Sequence, residues 1–166
     1  MYKAVFFDLV NTLVRHDPWP EERQYRALKE FGIDVPKKDL RRGFWVANDY
    51  FSREAARSPI EQRPPEEKIE VFIEFERTWL REAGVEVSRD QAAKLLELLR
   101  LNTEGVVLFE DTVPALTELR SRGIVVGLVS NLDMTLEKFC PDFDLAAHLD
   151  FVIVSHEGGF EKPHPE

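Results

Sequence analysis

The stretch Lys3-Ala4-Val5-Phe6-Phe7-Asp8-Leu9-Val10-Asn11-Thr12-Leu13 opens the chain with an apolar run that stops at a carboxylate. A short apolar run without alternation is typical of a strand that is buried on both faces, as in a parallel sheet. Residues 124–129 and 151–154 have the same character, and polar residues follow each of them at once. The sequence therefore predicts an α/β fold with at least three parallel strands.

The carboxyl ends of these strands are the expected ligand-binding edge, because ligands of open parallel sheets bind just outside that edge. A helix is predicted before the second strand, with Asp111 or Thr112 as its cap, Pro114 in its first turn and Gly123 at its end. A helix that leads into a parallel strand is half of a βαβ unit.

The residues between Arg15 and Gly105 show helical spacing alone. Ser88 and Gln91 form a capping box at the start of the last helix, and Gly84 ends the one before it. The pattern predicts a small bundle inserted after the first strand, with an aromatic stripe as its core. Its four helices are predicted at residues 21–31, 38–56, 65–83 and 88–101.

Composition narrows the classes of function. The 166 residues carry a net charge of −9, which argues against binding to the phosphate backbone of nucleic acids. The single cysteine, Cys140, cannot form an internal disulfide, so a reducing cytoplasm is expected. No apolar stretch approaches the ~20 residues of a membrane helix, so no membrane partner is expected.

Three segments in order resemble the motifs of the haloacid dehalogenase (HAD) superfamily of hydrolases. The stretch from Phe7 to Leu13 looks like its first motif, an apolar strand followed by D-x-D-x-T-L. Val129-Ser130-Asn131 resembles the second motif, and Lys162-Pro163 after Gly158-Gly159-Phe160 resembles the third. The resemblance implies a Rossmann-like, three-layer α/β core from residues 1–15 and 105–166, with a four-helix-bundle cap inserted at residues 16–104.

The resemblance also implies roles for five side chains. Asp8 would be the nucleophile that forms a covalent intermediate with a small-molecule substrate. Lys162 would offset negative charge on Asp8 and on the transferring group. Thr12, Ser130 and Asn131 would bind substrate oxygens. Each residue also has a structural alternative. Asp8 could be a helix or turn cap, which we give a small share, and Ser130-Asn131 could be a plain turn after a strand. Lys162 taken alone would be a solvated loop residue, and the other two motifs favour the functional role.

Val10 departs from the family pattern. In the phosphatases of the family this position is a second Asp, which protonates the leaving oxygen and then activates water. Valine cannot transfer a proton, and such assistance is typically worth ~10²–10⁴-fold in rate. Dehalogenation needs no such proton, although the dehalogenases usually have an aromatic residue here. The backbone carbonyl of Val10 and the carboxylate of Asp8 are the Mg²⁺ ligands that the resemblance implies.

The chain stops at Glu166, before the fourth, acidic motif that completes the Mg²⁺ site in the family. A truncated chain is therefore expected, with weak Mg²⁺ binding. Glu157, Glu161 and Glu166 lie too close to the third motif to replace the fourth. The histidines show no metal-ligand spacing; they are His16, His148, His156 and His164.

In the family sheet, the strands that follow the third motif lie beside the first strand. Without them residues 3–7 become an apolar edge, so a homodimer or domain-swapped oligomer is expected.

Three functions stay open from the sequence. The leading interpretation is a phosphatase-like hydrolase of a small phosphorylated metabolite, weak or inactive in this chain. The alternatives are a 2-haloacid dehalogenase and a non-catalytic or degenerate protein of the same fold.

Overall fold

The computed structural model describes residues 2–101, 105–132, 134–158 and 161–162. The chain forms two compact units: an α/β unit of Met1–Asp17 and Gly105–Glu166, and a helical unit of Pro18–Glu104. In chain order the elements are β1 (Ala4–Phe7), β2 (Val14–Asp17), α1 (Pro20–Glu30), α2 (Lys37–Arg57), α3 (Pro65–Glu82), α4 (Arg89–Leu101), β3 (Gly105–Leu108), α5 (Thr112–Ser121), β4 (Val125–Ser130), α6 (Leu136–Phe139), β5 (Phe151–Val154) and α7 (Ser155–Gly158), with 3-10 turns at Ile60–Gln62 and Leu145–His148.

The main sheet of the α/β unit has the strand order β1-β4-β5, and both pairings are parallel. The predicted parallel α/β fold is thereby confirmed. Val126 and Leu128 of β4 are fully buried and belong to one core cluster with Leu116 of α5. Because β4 lies between β1 and β5 and runs parallel to both, the carboxyl ends of all three strands lie at one edge of the sheet.

One face of this sheet carries the buried side chains of Val126 and Leu128, and the other face is apolar and exposed. Phe6, Val125 and Ile153 are 60%, 44% and 50% exposed. The rings of Phe6 and Phe151 meet 5.3 Å apart across Gly127. A Cβ at Gly127 would collide with the ring of Phe151, so the ring occupies this position because residue 127 is glycine, and it would have to shift for any larger residue.

A second pairing was not predicted. β2 and β3 form an antiparallel pair, with Val14 opposite Leu108 and Asp17 opposite Gly105. The helical unit is inserted between these two strands. The predicted boundary after residue 15 falls inside β2, and the core unit extends to Asp17 because the pairing with β3 holds the whole strand.

The start of α5 agrees in part with the prediction. Asp111 occupies the N-cap position of α5, but its side chain makes no capping bond. The buried Thr112 hydroxyl donates instead to the carbonyl of Leu13 at 2.7 Å. The same carbonyl also accepts from the amide of Phe109 at 3.1 Å, so the Thr112 hydroxyl is its second donor. Gly123 ends the segment at φ +73°, in the left-handed region that glycine adopts without strain.

The helical unit consists of four helices in its described residues, close to the predicted bounds. α2 packs on α1 and α3, and α4 packs on α3 and α1. The capping box is formed in both directions: the Ser88 amide donates to Gln91 Oε1 at 2.8 Å, and the Gln91 amide donates to Ser88 Oγ at 3.2 Å.

The aromatic stripe packs between α2 and α3. Trp79 is buried, its indole N–H donates to the carbonyl of Leu40 at 2.8 Å, and the rings of Phe44 and Trp79 meet edge-on at 5.0 Å. Gly43 lets the helices approach closely, since a Cβ there would collide with the carbonyl of Trp79. Within the described ranges, no helix combines the length and apolarity that a membrane crossing requires.

Candidate active site

A tight turn after β1 holds Asp8 at the strand end. The amides of Leu13 and Val14 both donate to the carbonyl of Leu9, at 2.8 and 3.1 Å, and the amide of Asn11 donates to the carbonyl of Val14 at 2.7 Å. Asn11 has φ +63°, a left-handed conformation that asparagine tolerates better than most residues. Leu9, Leu13 and Val14 are buried and anchor the turn in the core.

Two donors converge on one oxygen of Asp8. The Lys162 ammonium donates to Oδ1 at 2.8 Å, and the Ser130 hydroxyl donates to the same atom at 3.3 Å. The ammonium also donates to the carbonyl of Val129 at 2.7 Å. Among the described residues, no donor reaches Oδ2. Within the part of the chain that the structure describes, Oδ1 therefore has two donors and Oδ2 has none.

The parallel register of β1 and β4 explains this meeting. Phe7, the last residue of β1, lies opposite Leu128 of β4. Asp8 therefore follows β1 at the level where β4 continues to Val129 and Ser130. Ser130, the last residue of β4, is buried, whereas the side chain of Asp8 is 46% exposed. Asp8 is partly exposed because β1 ends at Phe7, so that the carboxylate lies beyond the strand, at the carboxyl edge of the sheet.

Asn131 contacts Lys162 rather than Asp8. Its Nδ2 donates to the carbonyl of Lys162 at 3.0 Å, and its Oδ1 accepts from the amide of Lys162 at 2.7 Å. Both polar atoms of the side chain are therefore engaged with one backbone unit.

Thr12 and Val10 stand apart from this group. Thr12 is exposed, and in the described part of the chain its hydroxyl forms no hydrogen bond with Asp8, Ser130 or Lys162. Val10 is partly buried and packs against the core of the α/β unit. The structure thus joins Asp8, Ser130, Asn131 and Lys162, and it leaves the assigned roles as predictions.

Among the described residues, Asp8 and the carbonyl of Val10 are the Mg²⁺ ligands that the family resemblance implies. None of the ranges that the structure describes contains three or more His, Cys, Asp or Glu side chains grouped closely enough to hold a metal ion. Oδ1 of Asp8 accepts from the Lys162 ammonium, so Oδ2 is the oxygen of this carboxylate that has no donor among the described residues. Gly159, Phe160, Pro163, His164 and Glu166 lie outside the described residues.

Cys140 takes no part in this group. Its side chain is buried in the core of the α/β unit, and that burial raises the pKa of the thiol to about 11. A thiol that stays protonated at neutral pH is a poor nucleophile, which suits a packing role.

The Val129 carbonyl is the contact that sequence reasoning missed. Lys162 uses it as a second acceptor, and a backbone carbonyl is present at every residue, so no residue type marks it. The pairing of β2 with β3 was also not predicted, because β2 is short and its partner strand follows the whole helical unit in the chain.

Comparison with known proteins agrees with this architecture. An aspartate, a hydroxyl and a lysine lie in contact at the carboxyl edge of a parallel sheet. The family model of the haloacid dehalogenase-like hydrolases matches residues 2–166, and the chain belongs to that family. The human haloacid dehalogenase-like hydrolase domain-containing protein 3 is 41% identical over 56 residues, which span 34% of this chain and only 21% of the human protein.

Solved structures share the fold. The crystal structure of a dehalogenase with an intermediate complex is 19% identical with a TM-score of 0.57, over 99% of this chain and 67% of that chain. A predicted phosphoglycolate phosphatase from Haemophilus somnus is 16% identical with a TM-score of 0.50, over 99% of this chain and 67% of that chain. The structural similarity shows a shared fold, and sequence identities this low leave the substrate undetermined.

Proposed function

We propose that this chain carries the aspartate-nucleophile site of a hydrolase that acts on a small phosphorylated metabolite. The observation that supports it most is the asymmetric Asp8 carboxylate, with Oδ1 bound by Lys162 and Ser130 and Oδ2 open. A carboxylate whose orientation is fixed by two donors presents its free oxygen to a substrate with little further ordering.

In the proposed reaction, Oδ2 of Asp8 attacks phosphorus and the bond from phosphorus to the leaving oxygen breaks. Water then attacks the acyl phosphate, which restores Asp8 and releases phosphate. The Lys162 ammonium lowers the repulsion between the anionic substrate and the carboxylate. Val10 has no proton to give, so the leaving oxygen takes its proton from water, and the rate is reduced by the missing assistance of ~10²–10⁴-fold.

A second candidate is hydrolysis of a 2-haloacid. One observation favours it: Val10, two residues after Asp8, is apolar and packs against the core of the α/β unit. In this reaction Oδ2 displaces halide from carbon to form an ester, and water hydrolyses the ester. Halide leaves without a proton, so neither a second acid nor a metal is needed.

A substrate panel tests both candidates. The purified chain is assayed for phosphate release from small phosphate monoesters and for halide release from 2-haloacids, each with Mg²⁺ and with a chelator. The matched control is Asp8→Asn, which keeps the shape of the side chain and removes the nucleophile. We expect phosphate release that Asp8→Asn abolishes while its thermal unfolding stays that of the wild type.

The other outcomes are equally informative. Halide release alone, lost in Asp8→Asn, replaces the phosphatase proposal by the dehalogenase. An Asp8→Asn protein with undiminished turnover removes Asp8 as nucleophile. No turnover of either substrate class contradicts both proposals and favours a non-catalytic protein.

A further inference from the structure

Lys162 has little local structure to hold it. It lies in a turn outside every helix and strand, and its side chain is 44% exposed. A long, exposed lysine samples many rotamers, and confining it to one carries an entropic cost. The placement of its ammonium on Asp8 therefore depends on how the backbone of Lys162 is fixed.

The backbone of Lys162 is fixed by one side chain. Its N–H and its carbonyl both pair with the amide of Asn131, at 2.7 and 3.0 Å. Asn131 follows Ser130, the buried last residue of β4, and the Lys162 ammonium returns to the carbonyl of Val129 in the same strand. Lys162 is thus attached to the end of β4 at three points, two of them through Asn131.

We propose that Asn131 is a positioning residue: it acts through Lys162, by holding the ammonium on Oδ1 of Asp8, and not as a ligand of the substrate. This inference rests on the proposed Asp8 chemistry and deepens it. If the amide turned towards a substrate oxygen it would release the two backbone contacts that hold Lys162. Two hydrogen bonds in one planar pair fix direction as well as distance, which a single contact does not.

The kinetic test separates the two roles. In Asn131→Ala we expect kcat to fall by about 10²-fold, the loss that misplacement of a catalytic group by roughly 1 Å produces, with KM within about twofold of the wild type. In a Lys162→Met background, Asn131→Ala should add no further loss, because the group it positions is gone. A substrate ligand would instead raise KM and would lower activity further in the Lys162→Met background, which would overturn the proposal.

Two matched variants complete the kinetic series. Ser121→Ala removes another exposed side-chain-to-backbone bond of the same unit, from Ser121 Oγ to the carbonyl of Glu118 at 2.8 Å, and should leave kcat unchanged. Asn131→Asp keeps the acceptor for the Lys162 amide but turns an oxygen towards the Lys162 carbonyl. We expect Asn131→Asp to lower kcat as well. A fully active Asn131→Asp enzyme would contradict the attachment of Lys162 through both its amide and its carbonyl. Thermal unfolding of each variant shows that the fold is retained.

A measurement without substrate keeps this inference distinct from the proposed function. Lysine-directed acylation, followed by peptide mass spectrometry, reports the reactivity of each ammonium in the full chain. Labelling of Lys162 should rise several-fold in Asn131→Ala and stay unchanged in Ser121→Ala. If the wild type turns over no substrate, the proposed function fails while this labelling still tests the attachment; unchanged labelling in Asn131→Ala would refute it.

Discussion

Under the proposed phosphatase function, Val10 is the residue that we expect to limit the chemistry of Asp8 most. Its side chain is apolar, partly buried and packed against the core of the α/β unit. A carboxyl group at this position would supply the proton that a phosphate ester needs on its leaving oxygen. The same change introduces a charge beside apolar neighbours, so a gain in rate is expected together with some loss of stability.

Val10→Asp should raise phosphatase kcat/KM by ~10²-fold or more, the usual worth of general acid–base assistance. Val10→Asn is the matched control, since it has nearly the same shape and polarity but transfers no proton. Both variants are compared on one phosphate monoester under identical conditions. An equal increase in both variants, or none in either, would exclude the proton-transfer explanation and weaken the phosphatase proposal.

Between α1 and α3 the helical unit buries a polar pair. Glu76 of α3 and Gln24 of α1 are fully buried, and Gln24 Nε2 donates to Glu76 Oε1. Within the described ranges, Glu76 Oε2 and Gln24 Oε1 have no hydrogen-bond partner. Burial raises the pKa of Glu76 from 4.5 to about 7, against the opposing effects of the Gln24 hydrogen bond and the Arg23 charge.

This pair makes the stability of the helical unit depend on pH. Between pH 4.5 and about 7 the folded state keeps the Glu76 proton and the unfolded state releases it, so stability falls as pH rises through this window. The difference between the two pKa values corresponds to roughly 3 kcal/mol at full ionisation. Above pH 7 the loss is complete, because Glu76 is then ionised in both states.

Glu76→Gln should remove this dependence. The new amide carries no charge, and its N–H₂ group can donate to Gln24 Oε1. We expect the variant to be more stable than the wild type at pH 8 by about 1–3 kcal/mol, and close to it at pH 5. Urea unfolding at the two pH values measures this, with the exposed Glu82→Gln of the same helix as control. A wild type whose stability is flat from pH 5 to pH 8 would contradict the argument.

The open face of the main sheet bears on the assembly of the protein. Phe6, Val125 and Ile153 expose apolar side chains on this face, and in the described residues β1 has a strand partner on one side alone. Apolar edge strands pair with other chains, and contiguous apolar patches favour association.

We therefore expect this chain to self-associate, as a homodimer or a domain-swapped oligomer, through β1 and this face. Light scattering should give a mass above the 19.3 kDa of one chain, and Phe6→Lys should shift it towards the monomer. Ile69→Lys is the matched control, because Ile69 is 53% exposed but belongs to the helical unit. A wild type that stays monodisperse at 19.3 kDa at high concentration would refute the expectation.

Local patterns in the sequence were sufficient to predict the three parallel strands, the four helices and the capping box between Ser88 and Gln91. Each depends on hydrophobic periodicity or on residues within one turn, so the signal lies in neighbouring positions. The motif order also identified the family and nominated Asp8, Ser130, Asn131 and Lys162 before their distances were known.

Contacts between distant segments were beyond such reasoning. The pairing of β2 with β3, the Thr112 hydroxyl on the Leu13 carbonyl and the Asn131 amide on the Lys162 backbone all join residues far apart in the chain. Their acceptors include backbone carbonyls, which every residue possesses. Packing of the elements decides which groups each backbone carbonyl accepts from, how far Asp8 is exposed and which partner Glu76 contacts. Burial and hydrogen bonding depend on neighbours that the chain brings together only on folding.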